Sequence, residues 1–264
     1  MHRHEFLRHL HRVLKPRNYL EIGVNDGRSL TLSRVPSVAV DPAFKVVTEL
    51  SCDAHLVRAT SDDFFARKDP LLHLRNGRNP FRALARKDPL NVFGGDPKLE
   101  LSFIDGMHLF EFALRDFMNV ERHARWSSVV VLDDMLPRSV DEAARDRHTN
   151  AWTGDVYKVA TVLRRFRPDL TVVEVDTQPT GVVLIFGADP DSRVLKNAYD
   201  EIIAEYVVPD PQAVPDELLV RKNAVQPEAL LEAAFWSSLV RARNLRRPRS
   251  AYAPLRRQIE ALTG

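Results

Sequence analysis

Three aspartates at the ends of two apolar runs are the residues of this sequence best suited to chemistry. Asp105 follows L-S-F-I, and Asp133 and Asp134 follow V-V-V-L. Such runs, ending abruptly on acid, are typical of buried parallel strands whose carboxyl ends open on a ligand crevice. Neighbouring strands would bring the carboxylates together, and their repulsion would then require a cation or shared protons. The pattern predicts a divalent-metal site, with a helix cap or simple turn chemistry as the alternatives.

A glycine-containing turn lies upstream of these acids. In E-I-G-V-N-D-G, Gly23 and Gly27 are spaced so that the backbone can turn tightly and a ligand can lie against it. The glycine pattern of pyrophosphate-binding turns and the lysine of a P-loop are both missing, which favours a nucleoside ligand without a pyrophosphate. Asp41 follows the next apolar run, at a spacing suited to accepting hydrogen bonds from ribose hydroxyls.

The elements that must position these residues alternate along the chain. An amphipathic helix over residues 4–14 precedes alternating strands and helices, which predict a doubly wound, mostly parallel, Rossmann-like sheet. Segments 170–176 and 181–187 are two late strands without a helix between them, so we expect an antiparallel edge hairpin. The sequence S-D-D-F-F at 61–65 is expected to open a helix with a serine or aspartate cap.

Two segments depart from this alternation. Residues 66–98 hold the sequence A-R-K-D-P-L twice and form an inserted segment, either a local duplication or a lid over the crevice. Residues 190–264 are predicted to be a helical C-terminal extension of the domain at 1–189. Arginines cluster near its end, and a solvated helix face or an oligomer contact is favoured there over RNA or phosphate binding, since no aromatic stacking platform is visible.

Composition limits the classes of function. The chain of 264 residues has 44% apolar residues, 28% charged residues and a net charge of +2, so no global field attracts nucleic acid or membranes. Its lone cysteine, Cys52, excludes an internal disulfide and a multi-cysteine metal site. The first residues lack an apolar signal core, and no apolar run approaches the ~18 residues of a membrane span. We therefore expect a cytoplasmic protein.

Taken together, the motifs resemble a class I S-adenosylmethionine-dependent methyltransferase over residues 15–187. The motifs are E-I-G-V-N-D-G, A-V-D, A-T-S-D-D, F-I-D-G-M-H and V-V-L-D-D. Closest are the metal-dependent small-molecule O-methyltransferases of the catechol and macrocin types. Catechol-type enzymes commonly carry asparagine at the third metal position, so Asp134 departs from them and matches the antibiotic-sugar group.

The resemblance implies a role for each matching residue. S-adenosylmethionine would be held by Glu21, Gly23, Asn25, Gly27, Ser29, Asp41, Ser61, Asp62 and Asp105. Mg²⁺ or another hard divalent cation would be bound by Asp105, Asp133 and Asp134. The substrate would be a small hydroxylated metabolite, of a sugar or polyketide type, chelated to that ion.

His108 is the candidate general base. It follows Asp105 by three residues, and an imidazole has a pKa suited to accepting a hydroxyl proton. A structural role for His108 is an equal alternative. His148, Trp152 and Asp155 could border the substrate pocket, although a surface loop before a capped helix is favoured for each.

Two other functions remain open. Methyl transfer to nitrogen or to RNA is disfavoured because I-D-G-M stands where amino-methylating relatives carry an N-P-P-Y-like tetrapeptide. A non-catalytic nucleoside-binding or regulatory domain would leave the acidic triad unexplained. A homo-oligomer is compatible with the apolar and arginine-rich C-terminal segment.

Overall fold

A seven-stranded sheet organises the protein, whose computed structural model describes residues 1–76 and 97–263. The strands are β1 (Tyr19–Ile22), β2 (Ser37–Val40), β3 (Ala54–Val57), β4 (Leu101–Ile104), β5 (Val129–Leu132), β6 (Thr171–Val175) and β7 (Val182–Phe186). Their order is β3-β2-β1-β4-β5-β7-β6. Strands β1 to β5 pair in parallel, whereas β7 runs antiparallel to both β5 and β6. The predicted mostly parallel sheet and its antiparallel edge hairpin are both confirmed.

Helices cover both faces of this sheet. They are α1 (Arg3–Leu14), α2 (Ser61–Phe65), α3 (Leu72–Asn76), α4 (Phe110–Arg122), α5 (Lys158–Phe166), α6 (Val194–Asn197), α7 (Tyr199–Tyr206), α8 (Asp216–Leu219), α9 (Pro227–Glu232), α10 (Phe235–Asn244) and α11 (Tyr252–Glu260). Short 3₁₀ turns occupy Leu30–Leu32 and Arg249–Ala251. None of these helices is long and apolar enough to span a membrane.

Alternation along the strands divides the core into two layers. In β5, Val130 and Leu132 face the layer that contains α4 and α5, whereas Val129 and Val131 face the layer that contains α1 and α10. Successive side chains of a strand point to opposite faces, and both faces here are covered by helices. This is why the central strands carry uninterrupted apolar runs instead of an apolar–polar alternation.

Helix α1 brings the N-terminus to the carboxyl edge of the sheet. Its residues Phe6, Leu7, Leu10 and Leu14 are buried at helical spacing. At its start, the backbone amide of Arg3 donates to the carbonyl of Gln178, with the nitrogen and oxygen 2.9 Å apart. This contact places the side chain of Arg3 beside the strand ends that carry the acids.

The residues after 190 pack on the same core as the sheet. Phe235 and Trp236 of α10 contact Phe186 of β7, and the Tyr252 hydroxyl lies 2.5 Å from Thr171 Oγ1. A domain boundary at 189/190 stays a prediction. Most of the predicted lid, residues 77–96, lies outside the described part of the chain.

The predicted cap of α2 is wrong by one residue. Thr60, which has extended backbone angles, is the N-cap, and its hydroxyl oxygen accepts from the Asp63 amide at 3.1 Å. Ser61 and Asp62 are instead the first residues of the helix. The sequence A-T-S-D-D offers several capping residue types in succession, so side-chain preference alone does not select among them.

Candidate active site

A cavity of about 810 Å³ opens at the carboxyl ends of the parallel strands. This is the edge at which doubly wound sheets bind ligands. Nine of the residues singled out in the sequence line it: Gly23, Asn25, Asp41, Ser61, Asp62, Asp105, His108, Asp134 and Trp152. The structure thereby gathers residues from positions 23 to 152 of the sequence around one space.

The turn after β1 comes so close to β4 that only glycine fits. Gly23 has φ +86°, and a Cβ atom there would lie 1.8 Å from the carbonyl oxygen of Asp105. Asp41 holds the same turn, because its Oδ2 accepts from the amides of Val24 and Asn25 at 2.9 and 2.8 Å. Both oxygens of Asp41 are engaged by backbone donors, since Oδ1 accepts from Ala43 at 2.6 Å. Asp41 therefore shapes the turn in addition to lining the cavity.

Glu21, Gly27 and Ser29 lie behind the cavity wall and do not line it. The Glu21 carboxyl is fully buried and accepts from the Tyr19 hydroxyl at 2.6 Å and the Ser29 hydroxyl at 2.8 Å. Burial raises the pKa of Glu21 to about 8, although these two hydrogen bonds oppose the rise. Contact between the cofactor and these three residues stays a prediction. The hydrogen bond between Ser29 and the buried Glu21 links the two ends of the glycine-containing turn.

The three predicted acids converge, and an arginine lies among them. Nη1 of Arg3 contacts Asp133 Oδ2, and lies 3.7 Å from Asp105 Oδ2 and 4.0 Å from Asp134 Oδ1. Burial raises the pKa of both Asp133 and Asp134, and the charge of Asp105 raises them further. Three carboxylates and one guanidinium leave a formal charge of −2, which explains why Asp133 and Asp134 resist ionisation.

Asp134 is held in an uncommon backbone conformation. Its φ is +60°, in the left-handed region, and its Oδ1 accepts from the Thr180 hydroxyl at 2.5 Å. Such conformations persist where the surroundings enforce them, and they concentrate at functional sites. Thr180 belongs to the same segment as Gln178, which anchors α1. One loop therefore orients both Asp134 and the helix that carries Arg3.

His108 faces the acids with a defined ring orientation. Its Nδ1 lies 2.8 Å from the carbonyl oxygen of Trp152, so Nδ1 carries the proton that this acceptor requires. Nε2 is consequently directed at Asp105 Oδ1 and Asp134 Oδ2, each 3.3 Å away. Burial lowers the pKa of His108, but the hydrogen bond to Asp105 and the two acidic charges outweigh it and raise the pKa to about 9.

The donor set fits a hard divalent cation. One ligand atom each from Asp105, His108 and Asp134 lie within 4.8 Å of one another. Asp133 Oδ1 is buried without a hydrogen-bond partner, and the formal charge of −2 that the three acids and Arg3 carry when His108 is neutral matches a divalent ion. Carboxylate oxygens are the ligands that Mg²⁺ prefers. Two of these three residues, Asp105 and Asp134, are among the predicted metal ligands. The third is His108 instead of the predicted Asp133, which pairs with Arg3.

The side of the cavity lined by Ser61 and Asp62 contains an acid that the sequence did not point out. Burial raises the pKa of Asp116 on α4 to about 7, and Asp62 adds to the rise. Asp62 itself is paired with Arg115, whose Nη2 lies 3.0 Å from its Oδ2. Asp116 was missed because it lies within an amphipathic helix, where a single acid is usually solvated. Its position between the apolar residues Leu114 and Phe117 is the sequence feature that indicates a buried side chain.

The segment before α5 divides into a cavity wall and a structural anchor. Trp152 lines the cavity and its ring stacks on that of His108, with centroids 5.2 Å apart. Asp155 is buried away from the cavity, where it accepts from Lys158 Nζ at 2.9 Å and from the Phe110 amide at 2.8 Å. His148 does not line the cavity either. Of the three residues, only Trp152 takes the position expected of a pocket residue.

The mostly parallel sheet, its antiparallel edge and the cavity at the carboxyl ends of the parallel strands are typical of a Rossmann-like fold. Neither the comparison with protein-family models nor the search of curated proteins found a match. Similar solved structures include O-methyltransferases, the class that the sequence motifs resemble.

Three of these structures illustrate the similarity. The O-methyltransferase TomG from Streptomyces achromogenes, in complex with SAM, is 18% identical, with 70% of this chain and 79% of that chain covered and a TM-score of 0.42. The Bacillus cereus O-methyltransferase, in complex with SAH, is 14% identical, with 70% and 80% covered and a TM-score of 0.40. MycE from the mycinamycin pathway, in complex with Mg, SAH and mycinamycin VI, is 15% identical, with 83% and 54% covered and a TM-score of 0.42. At these identities and TM-scores, the similarity assigns no role to an individual residue.

Proposed function

We propose that this protein transfers a methyl group from S-adenosylmethionine to a hydroxyl of a small molecule bound at a divalent cation. One observation carries the proposal: Asp105, Asp134 and His108 converge in the same cavity as the Gly23 turn and Asp41. A cation site and a nucleoside-type turn in one cavity suit a reaction in which a group passes from a nucleoside-borne donor to a chelated hydroxyl.

The cofactor would lie against the turn after β1. At Gly23 the missing side chain opens the backbone to a ligand, and the fixed turn presents the cavity-lining side chain of Asn25. Asp41 and the pair Ser61 and Asp62 continue this wall, which suits ribose and adenine respectively. The bound cofactor would supply an electrophilic methyl group on a sulfonium. The protein's contribution at this end is to hold the donor in a fixed orientation.

The acceptor would lie at the acidic end. Asp105 and Asp134, with His108 or Asp133, would hold the cation, which supplies Lewis acidity that lowers the pKa of a coordinated hydroxyl. If His108 is not itself a ligand, its Nε2 accepts the hydroxyl proton, because the Trp152 carbonyl keeps Nδ1 protonated and turns Nε2 inward. The donor would supply a methyl carbon to which the acceptor oxygen bonds as the bond between that carbon and sulfur breaks. In the case where His108 is not a ligand, the hydroxyl proton would end on His108.

The remaining walls suggest the acceptor class. Trp152, Phe112 and Met107 add apolar surface near the acids, and the Met107 side chain is exposed. A hydroxylated metabolite with an apolar body, such as a glycosylated or polyketide-type natural product, suits this combination. A reducing cytoplasm would suit the single Cys52, which is unpaired. Homo-oligomerisation stays a prediction.

The test is methyl transfer from radiolabelled S-adenosylmethionine to a panel of vicinal diols, catechols and deoxysugar glycosides, with Mg²⁺ or with chelator. We expect labelled product that disappears with chelator and returns on adding Mg²⁺. The variant Asp134→Asn should lose the product, whereas Asp200→Asn, an exposed acid on α7, should retain it. Full transfer in chelator would refute the metal role, and failure to bind the donor would refute the whole proposal.

Methyl transfer to RNA gains no support from the geometry. The C-terminal arginines at 243–249 line a separate space at the opposite edge of the sheet, next to residues that precede β1, β4 and β5. An RNA bound there would not lead to the cavity that contains His108.

A further inference from the structure

A second cavity, of about 420 Å³, lies at the amino edge of the sheet. Its walls come from Asn18 before β1, Glu100 before β4, Ser127 and Ser128 before β5, and the segment that joins α10 to α11. The candidate active site lies at the carboxyl ends of the same strands. The two cavities therefore use opposite edges of one sheet and share no lining residue.

The charge of this second cavity is strongly unbalanced. Among the described residues that line it, seven are arginine or lysine and three are aspartate or glutamate. One carboxylate serves two cations, because Glu100 pairs with Arg17 and also lies 3.3 Å from Arg243 Nη1. Asp189 pairs with Arg249 at 3.8 Å. Among the described residues that line the cavity, basic side chains thus outnumber acidic ones, and Arg249 also pairs with Asp169 at 2.9 Å.

Arg243 is the buried centre of the cluster. Its side chain is only 5% exposed, and Nη2 donates to the carbonyl of Lys15 at 2.8 Å. Nε and Nη1 are buried without a hydrogen bond. Burial lowers the pKa of Arg243. The negative charge of Glu100 opposes this effect, and the positive charge of Arg17 adds to it. Glu100 supplies an anion near Nη1, but Nε has no acceptor, and an unused buried donor is costly unless a further anion completes its shell.

Two further arginines extend the cluster toward solvent. The side chains of Arg125 and Arg247 are exposed and make no ion pair or hydrogen bond with the described residues around them. The two segments that carry them are in contact, because Trp126 Nε1 donates to the Arg247 carbonyl at 3.0 Å. Arg246, the preceding residue, has a φ of +52°. Arg247 and the buried Arg243 therefore belong to the wall of one cavity, and the contact with Trp126 fixes the backbone of Arg247 there.

We infer that this cavity binds a polyanion of the phosphate class, such as pyrophosphate or the polyphosphate of a nucleotide. Guanidinium groups present paired N–H donors that match phosphate oxygens, and several of them surround one recess here. A volume of about 420 Å³ exceeds the needs of a single phosphate and suits two or three linked ones. A recess between strand ends and α10 admits a small molecule more readily than a nucleic-acid duplex.

The experiment is isothermal titration of the full-length protein with tripolyphosphate, pyrophosphate and orthophosphate at constant ionic strength. We expect one site that prefers tripolyphosphate and pyrophosphate over orthophosphate by at least ten-fold. The double variant Arg125→Gln, Arg247→Gln should weaken tripolyphosphate binding at least ten-fold, since both groups are exposed and their loss leaves the core intact. The double variant Arg8→Gln, Arg257→Gln removes the same charge from exposed positions elsewhere and should change binding less than two-fold.

Two results would overturn the inference. One is the absence of binding by any of the three anions. The other is equal weakening in both double variants, which would show attraction by net charge instead of a site. Donor binding at the other edge is measured separately with S-adenosylhomocysteine, so loss of the proposed methyltransferase function would not be confused with loss of this site.

Discussion

His108 connects the two acidic strand ends, because Nε2 lies 3.3 Å from both Asp105 and Asp134. The carbonyl of Trp152 fixes its ring and the acids raise its pKa to about 9. A bound divalent cation would oppose that rise by repelling the imidazolium, so the metal would help to keep Nε2 free to accept a proton.

Replacing His108 with alanine tests its role as a base. We expect the rate of methyl transfer to fall by about 10²–10⁴, the usual contribution of a positioned base, while affinity for S-adenosylhomocysteine changes little. The matched control is His148→Ala, because His148 is exposed and lies outside the cavity. An unchanged rate in His108→Ala would show that another group accepts the proton.

Arg3 provides a second test at this scale. Replacing it with glutamine leaves Asp133 without its counter-charge, because a part-buried ion pair loses one partner. The free energy of unfolding, measured with urea in the presence of chelator, should therefore fall by about 2 kcal/mol. Added Mg²⁺ should stabilise Arg3→Gln more than the wild type, since the cluster then carries one more negative charge. Arg8→Gln on the same helix is the control. Equal stabilisation of both variants by Mg²⁺ would mean that Arg3 and the metal do not interact with the same carboxylates.

At the scale of elements, the close approach of the β1 turn to β4 is the feature most open to test. Gly23→Ala would place a methyl group 1.8 Å from a backbone oxygen at a positive φ. We expect a loss of about 3 kcal/mol in stability and of S-adenosylhomocysteine binding. In Gly106→Ala the nearest atoms would be 3.2 and 3.3 Å away, both in side chains, so the loss should be at most about 1 kcal/mol. Similar losses in the two variants would contradict the proposed packing.

The sequence predicted the strands and the convergence of the acids because both follow from local patterns. Apolar runs that end on acid identify parallel strands, and parallel strands end at a common edge. Asp105, Asp133 and Asp134 are adjacent for that reason. Alternation was also enough to predict the late hairpin, whose strands β6 and β7 lack an intervening helix.

Arg3 and the basic cavity could not be predicted in the same way. A charged residue on an amphipathic helix is usually solvated, and only the docking of α1 against Gln178 directs Arg3 at the acids. For the arginines between 241 and 257, the sequence alone favours a solvated face or an oligomer contact. The fold instead places several of them beside Arg17 and Arg125, which are distant in the sequence. Both cases depend on tertiary contacts that no local pattern encodes.

At the scale of the whole molecule, stability should depend on pH through Glu21. Its pKa is about 8 in the folded protein against an ordinary value of 4.5, so the folded state binds a proton that the unfolded state releases between these values. The contribution of Glu21 to stability is therefore largest below about pH 4.5 and falls as the pH rises toward 8, by up to about 1.4 kcal/mol per pH unit.

Urea unfolding at several pH values between 5 and 8 measures this slope. Glu21→Gln should reduce it, because glutamine cannot ionise, and Asp116 should account for part of what remains since its raised pKa acts in the same direction. Glu49→Gln, an exposed residue, should leave the slope unchanged. A slope that is identical in wild type and Glu21→Gln would show that Glu21 is not buried as a neutral acid.

Although the net charge is only +2, acidic and basic side chains are concentrated at opposite edges of the sheet. Carboxylates gather at the carboxyl edge of the sheet, where the cation and the acceptor are proposed to bind, and arginines gather at the amino edge. Ligands of opposite charge would thus be drawn to opposite edges of one sheet.

Binding of Mn²⁺, followed by electron paramagnetic resonance with S-adenosylhomocysteine present, tests the proposed centre most directly. Wild type and Asp200→Asn should each hold one ion, displaceable by Mg²⁺, and Asp105→Asn and Asp134→Asn should hold none. A wild type that binds no ion, or aspartate variants that bind it equally well, would contradict a cation site built from these strand ends.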